Sequence, residues 1–342
     1  MAVMATAKPE RNEPAPRWLR VWALFTVVST LVLLLLGGVV TTFRVGMADP
    51  VWPTSPLYLP KVLVFGSSEP LSVGFLIEHS HRFAGYFVGV CVIVLAVGLW
   101  FQGRCRSLRW LGIAGFLAVS VQGLLGGFRV VLDSLLGTEL AAFHGCLAQA
   151  VLAVLVAVAV FAGPAPRALE VAAARARGLR RLMLAVLALT YVQIVWGALV
   201  RHHLDPLAQR AHLLTAFALV ALTGWLARVA WEDRQVRTLL RAPLLVLGGL
   251  LLVQVGLGVE AWLGRFAGVL LPEAAPVTIG QAIVRTAHLF LGSLILVTVL
   301  VVTFRVYRAT AHVLGPQGEG ARTEVSQHAP EESKVLQGSL SL

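Results

Sequence analysis

The chain has 342 residues, of which 58% are hydrophobic and 13% charged, with a mean hydropathy of +0.81. Soluble domains carry about 25% charged and 45–50% apolar residues, so this composition excludes an ordinary soluble enzyme, a disordered chain and a disulfide-rich secreted domain. The net charge of +11 is read as an orientation signal in a lipid bilayer, and no nucleic-acid partner is expected.

The head, Met1–Arg20, mixes Lys8, Arg11, Arg17 and Arg20 with Glu10 and Glu13, an acid content that argues against an organelle transit peptide. Eight apolar segments follow, at 21–43, 73–101, 109–131, 139–163, 181–200, 212–231, 243–263 and 281–307. Each is close to or above the roughly 20 residues that a transmembrane helix needs. The first is too long for a cleavable signal core and no small-residue cleavage site follows it, so it is read as a retained anchor. Between spans 1 and 2, Arg44–Ser72 contains Pro50, Pro53, Pro56 and Pro60, which predicts an ordered, extended loop rather than a helix. A basic linker, 164–180, separates spans 4 and 5, and the tail 308–342 is Gly-, Ser- and Glu-rich, as expected of disorder. Twenty of the 28 Lys and Arg residues fall at the head, the tail, the connections after spans 2, 4 and 6 or the span ends that adjoin them. The positive-inside rule therefore puts both termini in the cytoplasm and the other four loops outside. Cys91, Cys105 and Cys146 stand singly, without a CxxC or an obvious disulfide partner.

Spans 3, 5 and 7 repeat a pattern: Val121-Gln122-x-x-x-Gly126, Val192-Gln193-x-x-x-Gly197 and Val253-Gln254-x-x-x-Gly258. Span 1 offers Val32-Leu33-x-x-x-Gly37, without the glutamine. The even spans carry Glu78-x-x-His81, Ala141-x-x-His144, Gln209-x-x-His212 and Arg285-x-x-His288. The expected architecture is an all-α polytopic membrane protein with eight transmembrane helices in two pseudo-repeated four-helix bundles, 21–163 and 181–307. Each half contributes two histidines, with His212 at the mouth of span 6.

All four histidines fall in the outer half of the membrane. Two helices presenting imidazoles at similar depth can grip a flat metal macrocycle, and haem iron takes axial imidazole. A single membrane histidine is more often an interhelical hydrogen-bonding group; four at repeated positions favour metal or haem, and zinc lacks a short-spaced partner ligand. Glu78 shares a helix face with His81. An ionisable group inside a span costs about 2.5–3.5 kcal/mol on insertion scales, so it calls for a function or a partner; the plain alternative is a salt bridge to Arg82. Arg82, Arg129, Arg201 and Arg285 lie at outer span ends, where propionate pairing and snorkelling are both open. Gln122, Gln193 and Gln254 read as interhelical glue, and Gly85-x-x-x-Gly89 as helix packing. His79, on another face, and His202 and His203, in an outer loop, are assigned no ligand role, nor are His312 and His328.

Glu78-His79-Ser80-His81-Arg82, Gln122-Gly123-Leu124-Leu125-Gly126-Gly127, His144-Gly145 with Gln149, Gly197-Ala198-Leu199-Val200-Arg201 and Arg285-Thr286-Ala287-His288 together resemble the haem A synthase family of bacteria and mitochondria. The resemblance covers roughly residues 25–308. It implies haem b in the C-terminal half with His212 and His288 as axial ligands, and haem O as substrate in the N-terminal half between His81 and His144. It implies Glu78, His81 and His144 as catalytic residues and oxidation of a ring methyl to a formyl group; Arg82 and Arg285, by their place at outer span ends, are expected as further cofactor-binding residues. It also implies a cytoplasmic (inner) membrane location with the active side outward, or the mitochondrial inner membrane in a eukaryote. A haem O synthase and cytochrome oxidase assembly factors are implied partners; no electron donor is legible. Many bacterial members carry a cysteine pair in the first outer loop, and Arg44–Ser72 has none. The rival readings are a di-haem b-type electron carrier and a transporter with Glu78 as its proton site.

Overall fold

Inside a bilayer the backbone has no water to bond, so each long apolar run closes its own hydrogen bonds as a helix. The computed structural model describes residues 13–53, 55, 58–66, 72–103, 105–203, 205–264 and 277–314. These form α1 (Arg17–Phe43), α2 (Tyr58–Phe65), α3 (Val73–Gln102), α4 (Arg106–Val131), α5 (Asp133–Ala162), α6 (Ala173–His203), α7 (Pro206–Trp231), α8 (Arg234–Trp262), α9 (Ile279–Ala309) and the short α10 (Ala311–Leu314). All but α2 and α10 are long and apolar enough to cross a membrane, and no strand occurs among the described residues.

The helices overrun the apolar segments. α6 begins at Ala173 and α7 at Pro206, in polar turns that hydropathy does not count. Helices of 26 to 31 residues are about 39–47 Å long at 1.5 Å per residue, which exceeds a hydrocarbon layer of about 30 Å and leaves the charged turns outside it. Two expectations are corrected as a result. His212 lies six residues inside α7, and His202 and His203 form the last turn of α6 rather than a loop. A third concerns the proline-rich connection, part of which is helical: Pro60 sits in the first turn of α2, where its missing N–H costs no helical bond. The first twelve residues and the tail beyond Leu314, including His328, lie outside the described residues.

In the first four long helices, α1 packs on α3 and α5, and α4 packs on the same two. In the second four, α6 packs on α7 and α9, and α8 on the same two. The same order of neighbours thus occurs twice. The sets meet where α1 and α5 pack on α9 and α5 packs on α6. Val27, Val88, Leu152, Leu155, Leu296 and Leu300 form the apolar core at this junction. Polar ties cross it too. Gln149 Nε2 donates to Ser293 Oγ (2.9 Å), and Arg201 donates to the Gly38 carbonyl (2.9 Å) and to the hydroxyls of Thr41 and Thr42 (2.7 Å each). Thr42 in turn meets Thr286 at 3.1 Å.

Candidate functional site

The starts of α3, α7 and α9 fix how deep their histidines sit. Ser72 caps α3 by accepting from Phe75 N, Asp205 caps α7 by accepting from Leu207 N, and Thr278 with Gln281 forms a capping box on α9. Each cap satisfies backbone donors that the helix leaves orphaned. His81, His212 and His288 then follow eight, six and nine residues after the first helical residue. α5 has no side-chain cap and kinks at Leu136, eight residues before His144. All four rings are half-buried.

Each ring lies against a glycine of the neighbouring odd-numbered apolar segment. A Cβ added at Gly37 would stand 3.0 Å from Cε1 of His81; at Gly126, 3.1 Å from His144; at Gly197, 3.1 Å from His212; at Gly258, 3.0 Å from His288. The glycines and histidines noted separately in the sequence are therefore facing partners. The residue four before each glycine completes the contact. Gln122 Nε2 lies 3.2 Å from His144 Nδ1, Gln193 Nε2 3.3 Å from His212 Nε2, and Gln254 Nε2 3.4 Å from His288 Nε2. His212 Nδ1 is 3.1 Å from the Gln193 carbonyl, the kind of second contact that fixes ring orientation, and its Nε2 is the atom that Gln193 Nε2 approaches. The Leu33 backbone lies beside His81 and that of Gln254 beside His288, short of hydrogen-bond geometry at Nδ1.

The His212 and His288 rings meet edge to face, with centroids 6.2 Å apart and planes at 69°. Two metal–imidazole bonds of about 2.0–2.1 Å, each extended to its ring centre, need a separation of this size, so the pair fits a metal held between two axial imidazoles. His144 is within electrostatic range of His81 and Arg129. Gly85 and Gly89, expected to pack a neighbouring helix, meet nothing within 4 Å of an added Cβ, and neither does Gly123. Gly85 lies one turn below His81 on the same face, so space is open beside that ring.

Glu78 is 3% exposed, and both its oxygens are engaged: Arg82 Nη2 donates to Oε1 (2.7 Å) and the Asp49 amide to Oε2 (2.9 Å). The salt bridge considered from sequence is present. The rest of Arg82 is spent on the Asp49 and Val51 carbonyls (2.6 and 2.7 Å), and Arg201 is spent on α1, which leaves less of either guanidinium for a propionate. Arg285 Nη2 donates to the Gly264 carbonyl, at 3.4 Å. Arg129 interacts electrostatically with Glu78 and Asp133.

Several site residues escaped the sequence reading. His79 Nε2 lies 3.0 Å from Asp49 Oδ2, and its ring is flanked by Phe75 and Tyr58, with centroids at 4.0 and 5.2 Å. Trp52 packs on Gly127, beside the glycine that receives His144. Adjacent glycines point about 100° apart on a helix, so the Gly126-Gly127 pair receives a ring on each of two faces; the doubled glycine was the available signal. Asp49 had little, since its partners on α3 are 29 and more residues away.

A family model described as cytochrome oxidase assembly protein matches residues 67–210. Among curated relatives, a heme A synthase of Alkalihalophilus pseudofirmus is 29% identical over 56% of this chain and 62% of its own length. One of Listeria monocytogenes is 27% identical over 63% of this chain and 75% of its own length, and one of Rhodospirillum centenum is 28% identical over 58% and 60%. The chain thus spans about three fifths of the length of two of these relatives. The chain is thus similar to heme A synthases over roughly three fifths of its length, and to the cytochrome oxidase assembly family over residues 67–210.

Proposed function

We propose that the protein is a membrane oxidoreductase that converts haem O to haem A by oxidising one ring methyl to a formyl group. Haem b, bound between His212 and His288, supplies the redox chemistry. The observation that carries this reading is the difference between two otherwise similar histidine pairs: a buried, doubly hydrogen-bonded carboxylate stands three residues from His81, and Gln209 occupies the same position before His212. The relatives named heme A synthase support the same reaction.

In this reading the chain's own residues divide the work. His81 and His144 hold the substrate iron and so orient the ring. The open side by Gly85 and Gly89 admits ring and isoprenoid tail from the lipid. Glu78, fixed at the ring edge, offers a carboxylate where a proton leaves and positive charge develops. Arg285 and Arg129 are the guanidinium groups best disposed for propionates. The histidine ends face outward from the cytoplasmic (inner) membrane, and a haem O synthase and oxidase assembly factors act before and after this step. Expressing the chain with a haem O synthase and separating extracted haems by chromatography tests the proposal: haem A must form with the parent protein.

The glycine contact common to all four histidines also fits a carrier of two haems b that converts nothing. Extracted pigment separates the two, since a carrier yields haem b alone.

A further inference from the structure

The loop after α1 brings a second carboxylate to Glu78. Asp49 uses every polar atom it has. Its amide donates to Glu78 Oε2 (2.9 Å) and its carbonyl accepts from Arg82 Nη2 (2.6 Å). Oδ1 accepts from the Val51 amide (2.9 Å), and Oδ2 faces His79 Nε2 (3.0 Å) and Arg82 Nη1 (3.5 Å). The Asp49 carboxylate therefore does not touch Glu78. It fixes the turn that presents the backbone amide to it, and it shares Arg82 with it. Arg82 and Arg129 balance the charges of the two carboxylates, and Asp49 itself is only 13% exposed. The flanks of the loop are anchored separately, Val45 on Gly74 and Trp52 on Gly127, so the middle can loosen without the loop detaching.

We infer that Asp49 is the positioning residue for Glu78: its carboxylate pins the 45–53 loop across the first histidine pair and sets the direction of the Glu78 carboxylate. The catalytic half of this inference rests on the proposed role of Glu78; the pinning half does not. The reason a carboxylate is needed is that hydrogen bonds to charged partners are the strong ones, and each here is made largely out of water.

Amide hydrogen exchange on the full-length protein reads the pinning without turnover. In Asp49→Asn, peptides covering 45–53 should exchange roughly tenfold faster, the effect of losing charge-assisted bonds, while α9 peptides stay unchanged. His79→Phe keeps the aromatic stack but removes one partner of the carboxylate, and should accelerate the same peptides less; it carries the test if Asp49→Asn does not accumulate. In turnover with haem O, Asp49→Asn should lower kcat about tenfold or more with KM within about threefold, because misplacement of a catalytic group acts on the chemical step. Asp49→Glu should recover part of the rate. Unchanged exchange in these peptides overturns the pinning. A joint fall of kcat and bound haem overturns the positioning role in favour of a structural one. Full conversion by Glu78→Gln would sink the catalytic role of Glu78, and absence of haem A from the parent protein would sink the proposed function; both leave the exchange result intact, so the failures are distinguishable.

Discussion

The two sets of four helices share one contact and differ in another. Both press a histidine ring onto a glycine of the next helix, at 3.0–3.1 Å from an added Cβ in all four cases. Among the described residues, only the first sets a buried carboxylate on the helix of its histidine. Where α3 carries Glu78, His79 and Arg82, α7 carries Gln209, Arg210 and Leu213 at the same offsets from its histidine, and the loop bearing Asp49 closes on the first set alone. The shared contact seats each imidazole on a glycine of the neighbouring helix. The unshared one costs desolvation of two carboxylates and two guanidiniums, which a membrane protein tolerates where chemistry needs them. Similar scaffolds can thus repeat one histidine–glycine contact while only one adds a buried carboxylate beside it.

The largest expected effect comes from removing the distinction itself. Glu78→Gln copies the second half into the first, and haem A formation should fall by about 100-fold or more, the lower range for a lost acid–base group. The visible spectrum of haem at His212 and His288 should persist; conversion within about tenfold of the parent would mean the carboxylate serves structure only.

Next is the grip of the second half. His288→Ala should abolish most of its bound haem, read as loss of the reduced-minus-oxidised signal, since an axial ligand disappears. His202→Ala, at the end of α6, should leave that signal in place. Equal losses from both would make the 6.2 Å pairing of His212 with His288 irrelevant to pigment binding.

Smaller effects test whether the shared contact is local. Gly126→Ala and Gly258→Ala each force a methyl against an imidazole, an overpacking that costs about 1–3 kcal/mol. Gly258→Ala should lower the thermal midpoint of haem release from the second half; Gly126→Ala should leave that midpoint alone and weaken haem O binding, measured by titration. Identical behaviour of the two would show that the halves are not independent.

The smallest effect belongs to the junction. Gln149 bonds Ser293 but leaves Oε1 without a partner, so Gln149→Leu combined with Ser293→Ala removes one weak interhelical bond and one unsatisfied atom. The thermal midpoint should move by no more than about 1 kcal/mol equivalent, because such bonds average about 0.6 kcal/mol in membrane helices.

Much of this was legible in the sequence for a physical reason. A bilayer demands long apolar helices, so eight spans follow from hydropathy, and a polar residue inside such a helix is costly enough to be conspicuous. His81, His144, His212, His288 and Glu78 stood out on those grounds. The ends of the helices did not, because hydrogen bonding continues through polar turns; hence His212 moved inward from the mouth of its helix, and His202 and His203 moved from loop to helix.

Asp49 and Trp52 lie in a polar, proline-rich loop, where nothing in the local composition singles out one residue. Likewise, Arg82 and Arg201 were equally good candidates for a propionate until their neighbours were known. Hydropathy and residue spacing are properties of one helix at a time, so they determined the number of membrane-length helices, the polar residues within them and the register of the glycine and histidine repeats. Which glycine meets which histidine, which carboxylate shares which guanidinium, and which loop covers which pair are properties of separate segments brought together. Only the packing of the helices decided them.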